Sequence, residues 1–136
     1  AKQMARRIDL APAAFADLLP ALESGRIDLV GAPLTATPER ARAFAFTEGY
    51  LDAHAQLVAG PRAGELRALA DLKGRTVAVA RGTTYEQWAH ANGPRYAFRV
   101  EAVSDDAAAI ALVTAGRADA ALTAHTAAAY AVMRHA

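Results

Sequence analysis

With 136 residues, 54% of them hydrophobic, the chain is long enough for one ordinary domain or two small lobes around a packed core. Its 15 basic and 14 acidic residues leave a net charge of +1 and are interspersed, so no basic stripe follows a phosphate backbone and nucleic acid is not the expected partner. Without cysteine there is neither a disulfide framework nor a thiolate metal site, which fits the cytosol and a disulfide-free exported protein equally.

Residues 1–7 read as the tail of a helix, and Ile8-Asp9-Leu10-Ala11 alternates as a short strand stopped by Pro12. No apolar run approaches the roughly 18 residues that cross a bilayer. None follows Arg6-Arg7 at signal-peptide length either, and the start, which lacks a Met, reads as that of a mature or trimmed chain. Phe15, Leu18, Leu19 and Leu22 fall at helical spacing up to Ser24-Gly25. Pro20 predicts a kink there, or a late start with Pro20 in the first turn. Ile27 to Ala32 reads as a buried strand, followed by a short helix with Thr37 as N-cap and Pro38 at its first position. Phe44-Ala45-Phe46 and His54 to Ala59 look like strand pieces, and Gly60-Pro61 with Gly64 marks a boundary between lobes, 1–60 and 61–136.

The second part repeats the alternation. A short helix Leu66–Leu72 ends at Gly74, and Thr76–Ala80 has strand composition. A helix follows Arg81-Gly82-Thr83-Thr84 and is expected to stop at Asn92-Gly93-Pro94. Tyr96–Val103 is a strand, Ser104 or Asp105 caps a helix to Ala115, Asp119–Thr123 is a strand, and Thr126–Arg134 is helical. Strand and helix alternate throughout, so the expected fold class is α/β, with mainly parallel sheets flanked by helices.

One unit occurs twice, Gly25-Arg26-Ile27-Asp28-Leu29-Val30 and Gly116-Arg117-Ala118-Asp119-Ala120-Ala121, each after an Ala-rich helical stretch. Each Gly stands where a left-handed residue ends a helix at least cost. The paired Arg and Asp point to two similar lobes, and the repetition of Asp28 and Asp119 argues for a structural role rather than an acid–base pair.

Two strand-to-helix turns, Thr35 to Arg40 and Arg81 to Thr84, offer backbone N–H groups, hydroxyls and guanidinium groups. Free amides and the positive end of a helix dipole favour a carboxylate or phosphate at such a place, and Arg40 adds a planar fork for both oxygens of a carboxylate. Plain helix capping explains the same hydroxyls. His54, His90, His125 and His135 are too scattered for a metal site. Ser24 and Ser104 both sit at helix ends, which leaves no serine nucleophile, and Gly82 belongs to no nucleotide-binding glycine pattern. Tyr85 and Trp88 read as packing residues, and Tyr50 fits either packing or a cleft wall.

Family resemblance sharpens this reading. Leu19-Pro20-Ala21-Leu22-Glu23-Ser24-Gly25-Arg26-Ile27-Asp28, Thr35-Ala36-Thr37-Pro38-Glu39-Arg40-Ala41 and Phe46-Thr47-Glu48-Gly49-Tyr50 closely resemble the first lobe of the amino-acid-type periplasmic solute-binding proteins of ABC transporters, the bacterial extracellular family 3. Asp71-Leu72-Lys73-Gly74-Arg75-Thr76-Val77-Ala78-Val79 with Arg81 to Thr84 is similar to the opening of that family's second lobe, and Gly116 to Ala120 to its later strand joint. The resemblance implies a two-lobed, type II periplasmic-binding-protein-like fold that closes on a small molecule without covalent chemistry or cofactor. It implies a ligand carboxylate held by Arg40, by the hydroxyl and N–H of Thr35 and by the N–H of Thr84. The Pro33 carbonyl would receive an ammonium, and Gly82, Thr83 and Thr123 complete the implied binding set. An ABC permease as partner and a periplasmic or extracytoplasmic location follow from the same resemblance.

Two departures matter. Where the family places an acidic partner for the ligand's ammonium, this chain has Ala124. Losing such a pair in a desolvated cleft costs about 3–5 kcal/mol, so a small carboxylate or an unusual ligand is expected over a standard amino acid. The family's first strand before Ala1 and its return crossing after Tyr130 have no counterpart here. The chain is therefore expected to be part of a longer protein, or a truncated one with an incomplete first lobe that self-associates to replace missing strands. A ligand-sensing domain of a receptor or regulator is the alternative function. A dehydratase of cyclic dienyl acids ranks below it, because the place best suited to a general acid is again Ala124.

Overall fold

The computed structural model describes residues 6–52 and 54–135, apart from the side chains at 132, 134 and 135. Most of the helix tail expected at 1–7, and the His135 side chain, lie outside that set. Four strands form one sheet in the order β1-β4-β2-β3, with β1 Ala55–Ala59, β2 Thr76–Ala80, β3 Arg99–Val103 and β4 Ala120–Ala124. β2 runs parallel to both β3 and β4, and β1 closes one edge antiparallel to β4, with Leu57 opposite Leu122. The sheet is α/β and mainly parallel, as the alternation of elements predicts.

Strand alternation sorts the core onto two faces. Val77, Val79 and Leu122 point to one side, where Leu72, Phe98 and Ala89 of α3 (Thr84–Tyr96) complete a buried cluster. Ala78 and Ala121 point to the other and meet Ala109, Ile110 and Val113 of α4 (Asp106–Thr114). The small alanines let α4 approach the sheet closely. A fifth helix, α5 (His125–His135), starts where β4 ends and packs against α4, β1 and β4.

Asp119 fixes where β4 meets the sheet. Its carboxylate accepts from the Thr76 amide at 2.7 Å, its own N–H donates to the Thr76 carbonyl, and its carbonyl accepts from Gly60 N–H. Just upstream, Gly116 at φ 67° ends α4: its N–H reaches the Val113 carbonyl and that of Arg117 reaches Leu112. The first copy of the repeat has the same closure. Gly25, at φ 71°, donates to Leu22 and Arg26 donates to Ala21, which ends α1 (Leu18–Glu23) in the same paired-bond motif. The repeat is thus a joint that turns a helix into an extended segment.

Downstream of the joints the two copies diverge. Ile27–Ala32 forms no strand, nor do Ile8–Ala11 and Phe44–Phe46, against the sequence expectation. A strand needs a partner for its N–H and C=O groups, and no described residue supplies one there. Leu10 is 90% and Leu29 64% exposed as a result. This part of the chain carries a short turn at Phe15–Asp17, then α1 with Pro20 in its first turn as expected, then α2 (Pro38–Ala43). Helix Leu66–Leu72 is reduced to a tight turn at Leu69–Leu72, whose opening amides, those of Arg67 and Ala68, bond Asp71.

A second correction concerns the end of α3, which runs through Gly93 and Pro94 to Tyr96. The stop is set three residues later by tertiary packing. Ala97 takes a left-handed φ of 55°, Phe98 N–H closes on the Gly93 carbonyl, and the Phe98 ring is buried in stacked contact with Trp88. An L-residue with a Cβ pays about 1–2 kcal/mol for that conformation. Ala97→Gly should therefore stabilise the protein by about 0.5–1 kcal/mol after the entropy that glycine adds to the unfolded chain, read as a higher urea midpoint. Asp119→Ala should cost about 1.5–3 kcal/mol, the range for a charged acceptor lost by a backbone donor. Asp119→Asn, which keeps an acceptor, should cost less in the same titration.

Candidate functional site

Parallel β2, β3 and β4 bring the N-termini of α3, α4 and α5 to one edge of the sheet. Facing that edge, residues 15–52 enclose with it a cleft of about 920 Å³. Pro33, Thr35 and Arg40 line it from one side, and Thr83, Thr84, Tyr85, Asp106 and Ala124 from the other. The two turns singled out in the sequence, of which only Arg81 to Thr84 follows a strand in the structure, thus face a common space.

Arg40 is positioned by the cap of its own helix. Thr37 Oγ1 accepts from Arg40 N at 3.2 Å, with Pro38 in the first turn, so the guanidinium projects from a fixed α2 N-terminus. One Nη donates to the Thr35 carbonyl at 3.1 Å and the other to the Gly82 carbonyl at 2.9 Å. That second bond joins turns 42 residues apart in the chain. A guanidinium carries five N–H donors, so the fork retains donors for an incoming anion.

The opposing turn is tightly organised. Gly82 adopts φ 77°, and a Cβ there would lie 3.0 Å from Ala16 Cα, so the turn needs glycine both for its conformation and for this close approach. Gly82 N–H is taken by Glu86 at 2.7 Å. The Thr83 hydroxyl is buried, donating to the Ala80 carbonyl and accepting from Glu86 N–H. Both residues build the cap and leave their donors committed. The N–H groups of Thr84 and Tyr85, first and second in the helix, are the ones helix geometry leaves over.

Thr123 stands behind the wall rather than on it. Its side chain is fully buried, and its hydroxyl has no hydrogen-bond partner. Beside it lies Asp106, a residue that sequence reasoning misses because Asp105 satisfies the expected N-cap role: Asp105 accepts from Ala108 N–H at 2.8 Å and from the Ser104 hydroxyl. Those two bonds hold its carboxyl below the usual carboxylate range. Asp106 is the opposite case. Its Oδ1 is buried without a partner, and burial pushes its carboxyl above the ordinary value. Proximity of the Thr123 hydroxyl opposes the rise and the Asp105 charge adds to it. The acidic doublet is the signal available in the sequence, since one capping carboxylate is sufficient.

A raised carboxylate pKa means that the folded state binds its proton more tightly than the unfolded chain. Stability from this group is complete below the ordinary value of 3.8 and is lost as pH rises through the raised one. Asp106→Asn should therefore raise the melting temperature of the ligand-free protein at pH 7 and leave it unchanged below about pH 3.8. Paired thermal melts across that range check the sign.

Comparison with known proteins places these features in a family. Residues 1–85 match the model for bacterial extracellular solute-binding proteins, family 3. The arginine-binding extracellular protein ArtP of Bacillus subtilis is 35% identical over 101 residues, covering 74% of this chain and 39% of that protein. The L-cystine-binding protein TcyJ of Escherichia coli K12 is 34% identical over 93 residues, covering 68% and 35% respectively. Among solved structures, an ancestral arginine-binding protein bound to arginine superposes with a TM-score of 0.91 at 30% identity, covering 98% of this chain and 59% of that one. The ancestral amino acid-binding protein AncCDT-1, a precursor of cyclohexadienyl dehydratase, superposes at 0.90 and 30% identity, covering 99% and 60%. The chain thus spans well under half the length of these two curated relatives. By its matched residues, its fold and its relatives, the chain belongs to the bacterial extracellular solute-binding proteins, family 3.

Proposed function

We propose that the protein captures a small carboxylate-bearing solute, an amino acid or a related polar compound, in an extracytoplasmic compartment and presents it to an ABC-type permease. The observation that carries this reading is the convergence of Arg40 and the Thr84 turn on one cleft, joined by the Arg40–Gly82 bond. A carboxylate in that cleft would take the free donors of the guanidinium on one side and the first-turn amides of α3 on the other, gaining the helix dipole as well. Because Arg40 also reaches across to Gly82, occupancy of the anion site and apposition of the two turns favour each other. The names of the relatives, which bind arginine or cystine, support an amino acid or a close analogue.

The reading is of a binder rather than an enzyme. The relatives that support this reading are named as binding proteins. Pro33 and Thr35 stand on the wall beside Arg40, in reach of the same solute. Gly82 and Thr83 serve by holding the turn.

The test is a thermal-shift screen of amino acids and small carboxylates on the intact gene product. A bound solute at 100 times its Kd stabilises by about 2.7 kcal/mol. Arg40→Ala should weaken binding at least tenfold. Thr84→Pro removes one amide at the first helical position, where proline is tolerated, and Thr83, at φ −88° and ψ 160°, already has the backbone a following proline requires. It should weaken binding without unfolding the protein. Unchanged affinity in both variants would refute the anion site.

A further inference from the structure

Five carboxylates line the cleft: Asp28, Glu48, Asp52, Asp105 and Asp106. Asp28, Glu48 and Asp52 are exposed, where water solvates their charge, and Asp105 is committed to its cap. Asp106 differs from all of them. It is half-buried at the start of α4, and its Oδ1 is shut off from water with no hydrogen-bond partner. The neighbouring Thr123 side chain is entirely buried and its hydroxyl likewise lacks a partner.

Leaving two adjacent polar groups unsatisfied inside a protein is costly, more so when one is ionisable. No lysine, arginine or histidine among the described residues forms an ion pair with Asp106. The groups around it are the Asp105 carboxylate of its own helix, the Thr123 hydroxyl of β4 and the Tyr85 side chain of α3, whose phenol is pushed up by burial and then by the Asp106 charge. None of these supplies positive charge. Thr123 is placed to donate to the Asp106 carboxylate, and the positive charge that would balance it has to come from the cleft, which Asp106 lines.

We infer that Asp106, supported by Thr123, is the subsite for a cationic group of the bound solute, an ammonium or a guanidinium. This rests on the proposed capture of a carboxylate-bearing solute and extends it. The cleft then has two poles, Arg40 with the α3 amides for the anion and Asp106 for the cation. Such a cleft suits a zwitterionic solute. The position at the end of β4 is occupied by Ala124, and the negative charge comes instead from the α4 N-terminus, reaching the same cleft from the adjacent turn. The methyl of Ala124 leaves room beside Asp106 for the cationic group, and the Thr123 hydroxyl holds the carboxylate by a hydrogen bond once a cation has drawn it into its ionised form.

Calorimetric titration of the intact gene product with three probes tests this: L-arginine, which carries both kinds of charge, agmatine, which lacks the carboxylate, and pentanoate, which lacks the cation. Asp106→Asn should weaken L-arginine and agmatine at least tenfold and leave pentanoate within twofold. Arg40→Ala should weaken L-arginine and pentanoate and spare agmatine. Saturating L-arginine should also lower the pH at which the Asp106 carboxyl titrates, followed by its carbon NMR signal. Should L-arginine bind Asp106→Asn as tightly as the native protein, or should all three probes weaken together, the cation subsite is refuted while the carboxylate site stands. Absence of binding by every probe to the native protein would remove both.

Discussion

The junction of β4 with the start of β2 governs the rest of the molecule. The Asp119 N–H donates to the Thr76 carbonyl, its carboxylate accepts from the Thr76 N–H, and its carbonyl accepts from the N–H of Gly60, just past the end of β1. One residue thereby aligns three strands. With that register set, the parallel strands end together, and the helices that follow them begin together. The free amides of α3, the Asp106 carboxylate of α4 and the Ala124 methyl at the foot of α5 share a wall for this reason. The chemistry of the cleft is a consequence of strand alignment rather than of any sequence motif taken alone.

Within that wall, the structure separates groups that build from groups that remain available. Gly82 N–H and the Thr83 hydroxyl are consumed by Glu86 and Ala80, so the turn is stiff before any solute arrives. Prior commitment of this kind lowers the entropy lost on binding. Arg40 combines both roles, because its bonds to Thr35 and Gly82 fix the guanidinium in place and still leave part of the fork open. On the α4 side, Asp105 is committed and Asp106 is not, though the two are adjacent in sequence and alike in chemistry.

Much of this organisation is legible in the sequence. The cap at Thr37 and one at Ser104 or Asp105, the left-handed glycines at 25 and 116, and the strands expected at Thr76–Ala80 and Asp119–Thr123, the latter observed one residue on at Ala120–Ala124, rest on local rules that hold regardless of distant contacts. Apolar patterning also suggests strands at Ile27–Ala32 and Ile8–Ala11, but a strand exists only with a neighbour, and none is present among the described residues. The end of α3 misleads for a related reason: Gly93-Pro94 is a strong local stop, overridden here by burial of Phe98 under the sheet. At the site, residue identity locates the two turns correctly in the chain. It does not reveal which donors are already spent, nor that Asp106 and Thr123 meet, because both depend on the packing of α4 against β4.

A crystal structure of the intact protein with a bound carboxylate tests the central claim most directly. The carboxylate oxygens are expected within hydrogen-bond distance of the Arg40 guanidinium and the Thr84 amide, with the two turns on opposite sides of the solute. A solute bound elsewhere, with Arg40 still engaged only by the Thr35 and Gly82 carbonyls, would contradict it.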